Sequence, residues 1–321
     1  MSIFDLHCDT IGVIHQKKKE NIDINLITNN LQVDINKLVS GNYFAQCFAM
    51  FIYYKVENPY QECIDMINTF YNEINGVKEL NLIRNYNDFT TNNINAILTI
   101  EEGGVIRNID DLYKFYDLGV RMICLTWNFE NKIGFPNINL SKDKVDIFTP
   151  DLLNGLKPFG FELINEMNKL GIIIDVSHLS DKGFWDVINT STKPIVASHS
   201  NCRSLCKCVR NLTDDMIIAL DKNGGVMGMN YCNEFLSDDY EKGKNTIDCV
   251  IEHIKYIKQL VGVDIISLGS DFDGIDPNIK LKDSSMLNEL INRLECEGFT
   301  KEEIDKITYK NALRVFKANL K

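Results

Sequence analysis

Eight short apolar runs recur along the chain, each closed by turn-forming or ionisable residues and most followed by a stretch with apolar residues three or four apart. They are Ile3–Asp9, Phe44–Phe51, Ile94–Glu101, Val120–Trp127, Ile172–His178, Pro194–His199, Val226–Tyr231 and Ile265–Asp271. Near-continuous apolar runs of this length suit strands buried on both faces, and the helical stretches between them supply the layer that covers the outer face. Eight such alternations predict an α/β protein with a single (β/α)8 barrel of TIM type. A chain of 321 residues lies within the length that such barrels reach as one domain, so we expect one domain over residues 1–321.

The intervening stretches predict helices over Glu62–Glu73, Asp110–Leu118, Phe161–Leu170, Asp214–Asn223 and Thr246–Val261. Thr213 ahead of Asp214 and Asp215 reads as an N-cap with an acidic first turn, and Gly171 after Leu170 as a glycine stop. From Ser285 to Leu320 the pattern is helical with a break near Gly298, which closes the outer ring. Lys132–Thr149 has no period. Following the fourth run, it predicts a long loop on the carboxyl side of the barrel, where long loops shape pockets.

A net charge of −11 argues against a nucleic-acid partner, which requires a basic face. The start MSIFDLHCDT has neither a basic nor a long apolar leader segment, and no uncharged apolar stretch approaches the ~20 residues that span a bilayer. The expectation is a cytoplasmic protein with no membrane partner, whose ten cysteines stay as thiols. Cys202, Cys206 and Cys208 cluster in sequence but lack a nearby histidine or second cysteine pair to complete a four-ligand zinc site.

The polar residues that close the runs carry the chemical signal. His7 with Asp9, Glu101, His178, His199 and Asp271 all fall at or just past the carboxyl end of a run, and in a barrel those ends converge on the face where active sites are built. His7 and Asp9 are two apart, which turns both side chains to one side of a strand. Three of the five histidines share this location, whereas His15 and His253 do not and read as structural or exposed. Imidazole with carboxylate suits zinc or a similar divalent ion. Glu101 and Glu102 both end the third run, and either carboxylate could bridge two ions beside the permissive Gly103-Gly104. Asp271 is placed to exchange a proton with an activated water, while Asp273 before Gly274 reads as a turn former. Trp127, Asn128 and Tyr231, at the ends of the fourth and seventh runs, are candidate substrate contacts.

Taken together, Asp5-Leu6-His7-Cys8-Asp9, Leu98-Thr99-Ile100-Glu101, Asp175-Val176-Ser177-His178, Ser198-His199-Ser200, Arg210-Asn211-Leu212-Thr213-Asp214-Asp215 and Gly269-Ser270-Asp271-Phe272-Asp273-Gly274 resemble, in order, the signatures of the membrane (renal) dipeptidase family. The resemblance runs from residue 3 to about 318. It implies a metallo-dependent hydrolase-like barrel that cleaves dipeptides with two divalent ions, zinc first among them, and a hydroxide between them. His7, Asp9 and Glu101 would hold one ion, and Glu101, His178 and His199 the other. Asp271 would transfer the proton, and Arg210 would bind the terminal carboxylate of the dipeptide. One departure stands out: where many members have a histidine after Leu-Thr, this chain reads Leu125-Thr126-Trp127-Asn128. Two rivals stay open, namely another binuclear barrel hydrolase acting on a lactone, phosphotriester or cyclic amide, and a catalytically silent ligand-binding barrel. The oligomeric state is also open, with a homodimer among the options.

Overall fold

The computed structural model describes residues 2–239, 246–277 and 280–321. The chain opens with β1 (Ile3–Cys8), α1 (Thr10–Lys19), α2 (Ile35–Ser40), β2 (Tyr43–Phe51), α3 (Pro59–Ile74), β3 (Leu80–Leu82), β4 (Ile94–Glu101), α4 (Ile109–Asp117) and β5 (Val120–Cys124). It continues through α5 (Pro158–Leu170), β6 (Ile173–Asp175), α6 (Asp181–Thr190), β7 (Val196–Ala197), α7 (Asp214–Asn223), β8 (Val226–Met229), α8 (Asn233–Leu236), α9 (Thr246–Val261) and β9 (Ile266–Leu268). The carboxyl end is α10 (Leu287–Cys296), α11 (Lys301–Asp305) and α12 (Asn311–Asn319), the last two joined by a wide turn over Lys306–Lys310.

Eight strands close a parallel barrel in the order β1-β2-β4-β5-β6-β7-β8-β9, with β9 returning to β1 and β2 pairing directly with β4. This is the expected (β/α)8 architecture. The ninth strand, β3, was not expected. It pairs with the first residues of β4, Leu80 opposite Ile94, ahead of the point where β5 takes over at Leu98. Its three residues are only half-buried and form no apolar run, so nothing in the sequence marks them.

Two apolar layers hold the barrel. Inside it, Phe4, Leu6, Ala45, Cys47, Ile97, Met122, Ile173, Val196 and Val226 pack on Ala312, Val315 and Phe316 of α12, which plugs the amino-terminal end. The alternate strand residues, such as Leu98, Ile123, Ile174 and Met227, face the helices. This leaves the carboxyl ends of the strands as the one open end of the barrel. Helix ends follow the sequence signals: the Thr213 side chain accepts from Met216 N, and Gly171 adopts φ +83° where an added Cβ would lie 2.5 Å from Asn319 O. Between Leu125 and Lys157 there is no helix or extended strand, a stretch that contains the expected loop Lys132–Thr149 and begins within the fourth apolar run, because β5 ends at Cys124. This long loop folds back over the mouth, where Asn137 N donates to His178 O at 2.9 Å. No helix among the described residues is long and apolar enough to cross a membrane.

Candidate metal centre

Glu101, the last residue of β4, is the hub of the open end. Its Oε2 lies 3.3 Å from His7 Nε2, and its Oε1 lies 2.9 Å from His178 Nε2 and 3.4 Å from His199 Nε2. His7 Nε2 is also 3.4 Å from Asp9 Oδ2, and the two Nε2 atoms of His178 and His199 face each other at 3.0 Å. All five side chains are buried. Their ligand atoms form two compact triads that share one carboxylate: His7, Asp9 and Glu101, and Glu101, His178 and His199.

Glu102 does not compete for that place. It turns away with φ +100° and accepts from Gly104 N, Asn131 Nδ2 and Trp127 N. A third grouping of His7, Asp175 and His199 is also compact, but the Asp175 oxygens already accept from Ser177 N, Ser198 N and Ser198 Oγ.

The donor set fits divalent cations. His7 Nε2 and Asp9 Oδ1 are buried without a hydrogen-bond partner, which native interiors avoid unless another group uses them. Burial and the nearby Arg210 charge push His178 down to about 4. Burial and the His7 charge also hold His199 well below the imidazole range, so both rings are neutral and offer lone pairs. For Glu101, burial is outweighed, first of all by the His7 charge, which holds the carboxyl well below its usual range, and the carboxylate stays ionised. Burial alone would push His7 down as well. Glu101 and Asp9 outweigh it and raise His7 well above its usual range, so this corner of the site favours positive charge.

The other ring nitrogens of two histidines are also engaged. Ser198 Oγ donates to Asp175 Oδ2 and lies 2.7 Å from His199 Nδ1, so its oxygen accepts the Nδ1 proton and the Nε2 lone pair faces Glu101. His178 Nδ1 lies 2.9 Å from Asn128 Oδ1, a carbonyl oxygen that can only accept, which fixes the same tautomer there.

Asp271 stands at the edge of this cluster with φ +63° and its Oδ1 3.9 Å from His7 Nε2, while its Oδ2 accepts from Asn230 Nδ2 at 2.9 Å. Asn230 was not among the sequence candidates, whereas its neighbour Tyr231 was, and the structure corrects that choice. Val226 of β8 faces the barrel interior, so strand alternation brings Asn230 inward and turns Tyr231 outward. Tyr231 is 1% exposed in the layer beneath the helices, its ring 5.7 Å from Phe272. Counting from Val226 in steps of two would have found Asn230.

Arg210 lies on the segment between β7 and α7, and it is buried. Nη2 donates to His199 O at 3.2 Å, the guanidinium carbon lies 5.5 Å over the Phe235 ring, and Nε has no partner. Among the described residues no carboxylate lies within ion-pairing distance of it. The segment is held by Arg203, which forks onto both Asp181 oxygens at 2.6 and 2.7 Å, and by Asn211, which donates to Cys206 O and Phe235 O.

Trp127 lies beside His178, ring centroids 6.2 Å apart. Asp273 is outside the cluster and accepts from Thr10 Oγ1, Gln32 N and Val33 N, a structural role in keeping with a turn former. His15 pairs with Thr69 Oγ1, and His253 bridges Cys202 N and Leu236 O, so both are structural. Cys202 packs in the main core, and Cys206 and Cys208 pack with Ile138 and Val209.

The family model described as Membrane dipeptidase (Peptidase family M19) matches residues 1–321. A protein of Klebsiella pneumoniae, described as uncharacterized and in the pqqA 5' region, is 41% identical over 208 residues, 64% of this chain and 75% of that one. An uncharacterized dipeptidase of Schizosaccharomyces pombe is 34% identical over 233 residues, covering 72% of this chain but only 54% of that longer protein. Among solved structures, a metallo peptidase of Rhodobacter sphaeroides liganded with a phosphinate mimic of the dipeptide L-Ala-D-Ala has a TM-score of 0.90 at 22% identity, with 99% of each chain covered. That likeness is one of fold.

Proposed function

The chain belongs to the membrane dipeptidase family, and from that premise we propose that residues 1–321 form one catalytic barrel that hydrolyses the peptide bond of free dipeptides with two divalent ions, zinc first. The observation that carries this reading is the pair of buried donor triads sharing Glu101. His7, Asp9 and Glu101 would hold one ion, and Glu101, His178 and His199 the other. Bound there, such ions polarise a carbonyl and make water a nucleophile at neutral pH.

The protein's own groups do the rest. Asp271 keeps Oδ1 free because Asn230 occupies Oδ2, so Oδ1 is the atom that takes a proton from the attacking water and passes it to the leaving amine. Arg210 is a desolvated cation with an unused Nε–H, and it binds the substrate's terminal carboxylate beside the scissile bond. Trp127 and Asn128 border the substrate from the β5 side. A cytoplasmic location is part of the same proposal, supported by ten cysteines that are all free.

The test is hydrolysis of a dipeptide panel by metal-loaded protein, with carboxyl-amidated dipeptides as controls. The ligand of the Rhodobacter protein argues for including a D-residue at the second position of the panel. Replacing Arg210 with Met should lower kcat/KM for free dipeptides on the order of ten- to a hundred-fold, as expected for one charge-assisted hydrogen bond. Amidated dipeptides should be poor substrates of the parent and lose little more. Equal cleavage of free and amidated substrates by the parent would remove the carboxylate clamp from the mechanism.

A further inference from the structure

A cluster of aromatic rings stands on the side of the mouth away from Arg210. Phe51 ends β2 and is the register partner of Glu101, so the two side chains share the inward face. Trp127 meets the Phe51 ring edge-on at 4.8 Å, Tyr53 at 6.1 Å and Phe129 at 5.7 Å. Tyr53 is 47% exposed, and Phe51 and Trp127 are half-buried, so the cluster turns aromatic surface to solvent beside His178. Exposed apolar surface next to a polar cluster is costly to keep unless something covers it.

The barrel order says what part of a substrate reaches this surface. Around the ring of eight strands, β2 and β4 stand four places from β7 and β8, which puts the Phe51 side opposite the Arg210 segment. With the terminal carboxylate on Arg210 and the scissile carbonyl at the Glu101 cluster, the amino-terminal residue of a dipeptide must extend toward β2. We propose that Phe51, Tyr53 and Trp127 form the pocket for the side chain of that amino-terminal residue, so the enzyme prefers dipeptides beginning with a large apolar or aromatic residue. The inference rests on the dipeptidase reading. The accessible ring surface of Trp127 and Tyr53 offers a phenyl ring the aromatic contacts it favours, whereas a glycine leaves both exposed.

The experiment compares kcat/KM of metal-loaded protein on Phe-Ala, Leu-Ala, Ala-Ala, Gly-Ala and Ala-Phe. Burying a Phe or Leu side chain predicts Phe-Ala and Leu-Ala ahead of Gly-Ala on the order of ten- to a hundred-fold, with no comparable gain from Ala-Ala to Ala-Phe. Trp127→Ala and Tyr53→Ala should each penalise Phe-Ala more than Gly-Ala. Tyr53 touches none of the donor residues, so its variant reads the pocket without disturbing the centre. Binding is read separately from Trp127 fluorescence in a Trp185→Phe background, which should respond to Phe-Ala and not to Gly-Ala at the same concentration. Equal kcat/KM for Phe-Ala and Gly-Ala, or equal losses for the two in both variants, overturns the proposal. Turnover of no dipeptide by metal-replete protein sinks the dipeptidase reading instead. The fluorescence then decides: a selective response keeps the aromatic pocket, and none removes it.

Discussion

Replacing Asn128 with Leu tests how the second donor triad is held. The amide oxygen of Asn128 is the acceptor for His178 Nδ1–H at 2.9 Å, and on the other side of the ring Nε2 faces Glu101 Oε1 at 2.9 Å. Leucine keeps the volume and removes the acceptor, leaving a buried N–H unpaired at a cost of about 1–3 kcal/mol. The ring can escape that cost by moving its proton to Nε2, where it hydrogen-bonds Glu101. That tautomer has no lone pair on Nε2, the nitrogen that faces Glu101, so ion binding there must first reverse it. The expected loss in affinity for one of the two ions is about ten- to a hundred-fold, the usual effect of removing a partner behind a ligand histidine. Asn128→Asp retains an acceptor and should recover most of the loss. The assay is competition with a graded chelator, reading ions per chain by elemental analysis alongside circular dichroism to confirm the fold. If folded Asn128→Leu protein keeps both ions with affinities within twofold of the parent, the tautomer argument is refuted.

Three further outcomes follow from the same geometry. Parent protein after mild dialysis should hold close to two divalent ions per chain, and a His178→Ala, His199→Ala double variant close to one; an unchanged content places the second ion elsewhere. Asp271→Asn should keep fold and ions yet lower kcat by about 10²–10⁴, since the amide cannot move a proton, and near-parental turnover removes Asp271 from the mechanism. Burial pushes His253 down to about 4 against an ordinary value of 6.5. The unfolded chain therefore binds more protons in that window, and stability should fall as pH drops from about 6.5 toward 4. Urea titrations across the window should show a shallower decline in His253→Gln, and identical slopes would mean that His253 does not titrate on unfolding.

Much of this arrangement was legible because a barrel imposes two simple rules. Apolar runs mark the strands, and the polar residues that end them converge, so His7, Asp9, Glu101, His178 and His199 could be grouped without any contact information. The groups that support them were harder to find. Asp175, Ser198 and Asn230 act through hydrogen bonds to other side chains, and nothing in their types distinguishes them from turn residues. β3 escaped because three half-buried residues carry no period. Tyr231 misled because a large aromatic ring with a hydroxyl suggests a binding surface, whereas its parity on β8 sends it into the core.

Parity also shows why the donors required more than strands. Phe4 and Leu6, Ile173 and Val196 all face the barrel interior, and His7, His178 and His199 each lie an odd number of residues beyond them. Regular alternation would therefore send all three imidazoles outward into the helix layer. The alternation is instead interrupted on the way to each histidine. The pairing of β1 with β2 slips between Asp5 and Cys8, β6 ends at Asp175 with His178 at φ +68°, and β7 is only two residues long. Left-handed backbone costs a residue with a Cβ roughly 1–2 kcal/mol, a strain that persists only where surrounding bonds fix it. At His178 those bonds run to Asn128 from the ring and to Asn137 N from the carbonyl. The same logic explains why the fifth and sixth apolar runs read as longer strands than they are. Their last residues are apolar or small enough to look like strand, but they form the turns that swing the histidines back over the open end of the barrel.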